Sequence, residues 1–293
     1  MEKVTRLDES PDCSLWDDMW AIRTVEEEVQ ACELESPPRE KFQSYIPKDG
    51  KIIDAGCGFG KWVIYLRRRG YDIVGIDSSE LAVARVKEFD ESINVEPGDI
   101  LDIKYPDNCF DAYISMGVVE HFEDGPSLAL REAYRILKPN GLIFVSVPTV
   151  NVIRKVVRQP IRNALHGLSG VPKGLIALAG RLGHRQPFLA ETEGSRRRNE
   201  KYRHFLEYRY SRGELEAFLR EAGFDIAETV PHDFYGSRDH AVGLVSDFSF
   251  LGVRGASNFR LNLLGRAVAR TFNRLSPWIA CSSVLCVARA EKH

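Results

Sequence analysis

No two of the six cysteines (Cys13, Cys32, Cys57, Cys109, Cys281 and Cys286) stand in CxxC or CxxH spacing. That excludes the common zinc and dithiol signatures, so reduced thiols and no metal centre are expected. No apolar run approaches the roughly 18 residues needed to cross a bilayer, and the first residues, MEKVTRLDESPDCSLW, lack the apolar core of a secretory leader. A cytoplasmic location follows as the expectation. Net charge is nearly absent as well, at −2 from 40 Lys and Arg against 42 Asp and Glu. Any attraction to an anionic partner must therefore come from a local patch. One such patch is itself marked by an absence. From Asn151 to Ala190 there is no acidic residue, while Arg154, Lys155, Arg158, Arg162, Lys173, Arg181 and Arg185 supply positive charge. No internal repeat is visible.

From Lys51 to Pro148 short apolar runs alternate with amphipathic segments, the pattern of parallel strands joined by crossover helices. The runs are KIIDA, YDIVGID, INVEPGD, FDAYISM and GLIFVSVP. Between them, GKWVIYLRRRG, SSELAVARVKEFD and PSLALREAYRILKPNG carry apolar residues at helical spacing, with Ser79 as the cap of the second. After the basic stretch, SRGELEAFLREAGF reads as a helix with a Ser211/Glu214 capping box, and FDIAETVP as a strand. A second irregular stretch includes the basic amphipathic helix RLNLLGRAVARTFNRL, and SSVLCVARA closes as a strand. The expected segments are an N-terminal helical cap (1–45), a core (46–150), a basic helical insertion forming a lid (151–205), a core helix and strand (206–231), a second insertion (232–278) and a final core strand (279–293).

The stretch IIDAGCGFGK, Ile52 to Lys61, sets Gly56, Gly58 and Gly60 behind Asp54. Glycines at a strand-to-helix turn let the backbone come within contact distance of a ligand. A triphosphate loop requires GxxxxGK[ST], and Lys61 is followed here by Trp62. A dinucleotide fingerprint requires GxGxxG, whereas this turn reads DxGxGxG. A carboxylate at the end of the first strand is ill suited to a pyrophosphate but well suited to an ammonium group. Asp77 ends the second strand about 20 residues on, where a carboxylate accepts ribose hydroxyls; its alternative is the N-cap of the next helix, a role Ser78 or Ser79 could fill equally well. Asp99, after the third strand, is placed to accept an adenine amine while Ile100 packs on the ring, though a turn role after Gly98 is the alternative.

With Gly98-Asp99-Ile100 and MGVVEHFED added, the set Asp54-Ala55-Gly56-Cys57-Gly58-Phe59-Gly60 and Asp77 resembles the successive motifs of class I S-adenosylmethionine-dependent methyltransferases. The resemblance covers Lys51 to Pro148 and the later strands. It implies an α/β fold, a Rossmann-like doubly wound seven-stranded sheet of order 3-2-1-4-5-7-6 with the last strand antiparallel, and helical insertions forming a lid. It also implies S-adenosyl-L-methionine as cofactor, held by Asp54, Gly56, Cys57, Gly58, Gly60, Asp77, Ser78, Asp99, Ile100 and Met116. The reaction it implies is in-line methyl displacement from a sulfonium, for which proximity supplies most of the acceleration.

His121 in VVEHFED is the best placed general base if the acceptor carries a proton, against a packing or capping role, and Glu120 shares that choice. His204, His232 and His240 fall in the insertions, where each alone reads as a solvated histidine. Trp16 and Trp20, one helical turn apart, suggest a helix that buries its aromatic face or caps the cofactor cleft. The basic, apolar insertions read as a solvated lid or as a contact with an anionic membrane surface at the inner face of the membrane. Nucleic acid is disfavoured by the lack of an RNA-binding module, and a tRNA or protein methyltransferase by the lack of an NPPY-like tetrapeptide. The expected partner is a small-molecule acceptor, an oxygen of a sugar, glycolipid or natural product, with nitrogen and carbon open. A cofactor-binding regulator without turnover and a nicotinamide-dependent dehydrogenase are the competing readings.

Overall fold

The computed structural model describes residues 1–7, 24–32, 36–158, 203–232, 244, 248–253 and 261–292. Nine strands are named in chain order: β1 (Glu2–Leu7), β2 (Lys51–Ala55), β3 (Asp72–Asp77), β4 (Val95–Pro97), β5 (Phe110–Met116), β6 (Leu137–Pro148), β7 (Arg203–Arg209), β8 (Phe224–His232) and β9 (Ser283–Ala290). Seven of them form one sheet of order β4-β3-β2-β5-β6-β9-β8. Counted within that sheet alone, this is the order 3-2-1-4-5-7-6. Pairings from β4 through β6 are parallel, and β9 runs antiparallel to both β6 and β8. The expected sheet order and antiparallel last strand are the observed ones.

Alternation along the strands divides the core. Ile52, Ile73, Ile114 and Phe144 face one layer, and Ile53, Val74, Tyr113 and Val145 the other. A period of two sends neighbouring side chains to opposite faces, so strands apolar at every position need cover on both. The first layer is covered by helices α1 (Val25–Cys32), α2 (Ser36–Tyr45), α3 (Lys61–Arg67) and α4 (Glu80–Phe89). There Phe42 meets Trp62 and Phe144 edge-on at 5.0 and 5.1 Å. Helices α5 (Ser127–Ile136) and α6 (Arg212–Glu221) cover the second. Ser79 caps α4 by accepting from the Ala82 N–H at 3.1 Å. The Ser211/Glu214 capping box opens α6 as the sequence suggests.

The sequence does not announce β1 and β7. The segment expected to begin as a helical cap begins with a strand, which pairs antiparallel with β7 from Glu2↔Arg209 to Leu7↔Arg203. This ribbon reaches the loop after β5: the Tyr208 hydroxyl donates to the Glu123 carbonyl at 3.0 Å, and Lys3 Nζ lies 2.6 Å from Glu123 Oε1. Trp16, Trp20, His240 and most of the basic insertion lie outside the described residues. The last helix, α7 (Leu263–Leu275), and Ile153 share a third, smaller apolar cluster with Leu251 and Ala280.

Candidate cofactor and acceptor site at the carboxyl edge of the sheet

The carboxyl ends of β2, β3 and β5 converge, as the crossover topology of a doubly wound sheet requires at its switch point. After β2 the chain turns through Gly56, Gly58 and Gly60 with φ of 81°, 53° and 63°. All three lie in the left-handed region that side chains rarely adopt. The turn is tied to β3: the Gly56 and Cys57 N–H groups both donate to the Ile76 carbonyl, at 2.8 and 3.0 Å. The glycines do not serve one purpose. A Cβ on Gly56 would stand 2.5 Å from a methyl of Val118, whereas one on Gly60 would meet Val86 and Val95 at ordinary distances of 3.5 and 3.6 Å. Gly56 is therefore required by packing against the loop after β5 as well as by its backbone angle.

Asp54 is buried, and its Oδ2 has no hydrogen-bond partner among the described residues. Burial, reinforced by Asp77 and opposed by Lys61, pushes its carboxyl up to about 7. An orphaned buried carboxyl next to a turn devoid of side chains is the feature a cationic ligand would satisfy. The same shift has a consequence for stability. Between the ordinary carboxylate range and pH about 7, the folded chain holds a proton that the unfolded chain has released. Ligand-free stability must therefore fall as pH rises through that window and level off above it. Asp77 and Glu120, both raised by burial, act with the same sign. Asp54→Asn should reduce the loss between pH 4.5 and 7.5 by roughly 2–4 kcal/mol in urea unfolding. An unchanged pH slope would refute the buried-acid reading.

Asp77 is fixed from both sides: Oδ2 accepts from the Gly58 N–H at 2.7 Å and Oδ1 from the Ser79 N–H at 2.9 Å. Each oxygen keeps a further lone pair, so hydroxyl donors can still bind. Ser78 is exposed beside it. Asp99 is also exposed, and its Oδ1 accepts from the Leu101 N–H at 2.9 Å, the turn role weighed from the sequence. Ile100 is buried among the second-layer residues, and Met116 is half-buried at the end of β5. Cys57 departs from the simple picture. Its side chain is buried, with Sγ 2.8 Å from where a Cβ on Gly75 would lie, so it packs into the core. The backbone is what it offers to the turn.

Beyond β5, Val119–His121 form a short 3-10 turn. Glu120 is buried, its Oε2 has no partner among the described residues, and burial holds its carboxyl well above the usual range. His121 Nε2 lies 3.8 Å from Glu120 Oε1, beyond hydrogen-bond reach. Burial thus favours the protonated form of Glu120, which weakens its case as a second base. His232 corrects the surface reading outright. It ends β8, is fully buried, and its Nε2 hydrogen-bonds Ser146 on β6. The sequence placed it in an insertion because Pro231 reads as a strand end, whereas pairing with β9 continues to His232↔Ser283. His204 falls in β7. Sequence spacing signals neither Val118, which packs on Gly56, nor Lys61, whose charge acts on Asp54.

Residues 53–145 match the family described as Methyltransferase domain. Among curated proteins, the ubiquinone biosynthesis O-methyltransferase of Pseudomonas entomophila is 33% identical over 130 residues, 42% of this chain and 54% of that protein. The corresponding protein of Pseudomonas fluorescens is 32% identical over the same shares. The chain thus spans about half the length of the curated relatives it matches. Among solved structures, a chain from the complex of the Haloferax volcanii Trm112 methyltransferase activator with a putative methyltransferase superposes with a TM-score of 0.56. It is 15% identical, with 96% of this chain and 99% of that one covered. A methyltransferase of Methanosarcina mazei superposes at 0.52, also 15% identical, with 86% and 98% covered. At that identity the two superpositions speak for the fold alone. The matched motifs, the seven-stranded order and the turn after β2 agree: the chain carries a class I S-adenosylmethionine-dependent methyltransferase domain.

Proposed function

We propose that this protein transfers a methyl group from S-adenosyl-L-methionine to a small-molecule acceptor, at an oxygen of a sugar, glycolipid or natural product. The observation that carries the reading is the buried Asp54 carboxyl, its Oδ2 unpartnered among the described residues, set against the left-handed glycine turn. The oxygen assignment draws support from the curated relatives, which are O-methyltransferases. When bound, the cofactor supplies an activated methyl on a sulfonium. Asp54 would hold its ammonium, and Asp77 the ribose hydroxyls. The backbone of Gly56 to Gly60 would allow close approach, while Ser78, Asp99, Ile100 and Met116 would line the adenosine side. Lys61, by favouring the Asp54 carboxylate, supports that charge. Affinity for the ammonium should accordingly rise with pH through about 7, as Asp54 ionises, and Asp54→Asn should flatten that dependence.

Calorimetry with S-adenosylmethionine and with NAD tests the donor. Binding of the first and not the second is expected; the reverse would return the fold to dehydrogenase chemistry. Binding without methyl transfer to any oxygen, nitrogen or carbon acceptor would leave a regulator. For the acceptor step, His121 stands beyond the end of β5, where it can take a proton from a hydroxyl. His121→Ala should lower kcat about 10²–10⁴-fold while leaving cofactor affinity within about twofold. Full activity in that variant would remove the base from the mechanism.

A further inference from the structure

Seven of the nine large apolar side chains exposed among the described residues gather around the small third cluster, away from the sheet's own layers. Leu263, Leu264 and Leu275 come from α7, and Leu263 and Leu275 are 79% and 73% exposed. Phe250 and Val253 stand on the turn beside the helix, and Val152 and Val156 on the turn after β6. Isolated exposed leucines need no explanation, but a concentration in one satellite cluster does.

The helix is anchored by its opposite side. Ala269 is buried, Val268 and Phe272 pack against Ile153, Leu251 and Ala280, and Gly265 sits so close to the Leu251 carbonyl that no Cβ fits. Asn262 caps it by accepting from the Gly265 N–H at 2.9 Å. What faces outward is therefore held there by packing. Arg266, Arg270 and Arg274 follow at intervals of four, which turns them about 40° per step along one outward stripe that includes Leu263. All three are exposed, and among the described residues no ion pair holds any of them. No acidic residue occurs between Phe248 and Ala290, nor between Asn151 and Ala190. Lys155 lies exposed between Val152 and Val156.

Leucines in a stretch without carboxylates, beside arginines unpaired among the described residues, suit one chemistry. A nucleic acid matches the arginines but leaves the leucines in water; an apolar core contact matches the leucines but strands the arginines. An interface of anionic headgroups over acyl chains satisfies both. We propose that this α7 face docks the protein on an anionic membrane surface, with the arginines at the headgroups and Leu263, Leu264 and Leu275 at the acyl boundary. Among the described residues no helix is long and apolar enough to cross a bilayer, so the contact is peripheral. It stands independently of the methyl-transfer reading.

The test is flotation of the full chain with vesicles of phosphatidylcholine alone and with one third phosphatidylglycerol, at low and high salt. Binding to the anionic vesicles, weakened by salt, is expected. The triple substitution Arg266→Gln, Arg270→Gln, Arg274→Gln should reduce it by about 100-fold, and Leu263→Gln with Leu264→Gln by about 10-fold or more even at low salt. All these positions are exposed, and unchanged thermal unfolding with unchanged cofactor binding confirms folding. No flotation at low salt, equal flotation with neutral vesicles, or insensitivity to both sets of substitutions would overturn the proposal. A concentration-dependent dimer lost on the leucine substitutions, without lipid binding, would overturn it too by assigning the face to a second copy.

Discussion

Asp77→Ala should weaken S-adenosylmethionine binding by about 10²–10⁴-fold, since two hydrogen bonds from ribose hydroxyls to a carboxylate are worth roughly 1.5–3 kcal/mol each. The geometry makes this carboxylate doubly costly to remove. The same two oxygens receive the Gly58 and Ser79 N–H groups, so truncation also strands two backbone donors at the glycine turn and at the start of α4. Asp77→Asn separates the effects. It keeps one acceptor for the turn while removing the charge and one hydroxyl site, and an intermediate loss is expected. Calorimetry on variants shown to be folded by circular dichroism measures both. An Asp77→Ala protein that binds with native affinity would place the ribose elsewhere.

Gly56→Val carries the largest expected stability effect. The residue must hold φ of 81°, and a Cβ there would press to 2.5 and 2.7 Å on the two Val118 methyls. The left-handed backbone costs roughly 1–2 kcal/mol and overpacking a further 1–3. A loss of about 3–5 kcal/mol, read from the urea midpoint, is a large part of what holds a domain of this size. Gly60→Ala provides the contrast: its φ is also left-handed, at 63°, but its nearest neighbours stand at 3.5 Å, so only the backbone cost of about 1–2 kcal/mol applies. Gly56→Ala combined with Val118→Ala should recover part of the Gly56→Ala loss, because the second change removes both clashing methyls. Equal effects at Gly56 and Gly60 would mean that Val118 moves aside freely.

These contrasts show where the sequence is legible. Asp54, the three glycines and Asp77 lie within 24 residues of chain, and short-range spacing reports strand ends and turns directly. The helix caps at Ser79 and Ser211 are local as well, which is why they could be read. Val118 lies 62 residues beyond Gly56, and no pattern within either segment signals that the two meet. His232 looked like a loop residue because its burial comes from Ser146, 86 residues away. β1 and β7 each lack an apolar alternation strong enough to mark them, and their pairing spans the length of the core.

By itself the sequence determined the alternation of strands and helices, the turn after β2 and the carboxylates that follow it, because each is written in residue types a few positions apart. Only the tertiary structure decided the protonation and burial of those groups. Asp54 becomes a buried acid raised to about 7, Glu120 a carboxyl raised by burial, Gly56 a packing requirement and His232 a core residue through neighbours brought from distant strands. It also decided that the arginines of α7 and Leu263 point away from the side by which the helix is anchored. Desolvation and close contact depend on what surrounds a side chain in space, and local spacing does not specify that surrounding.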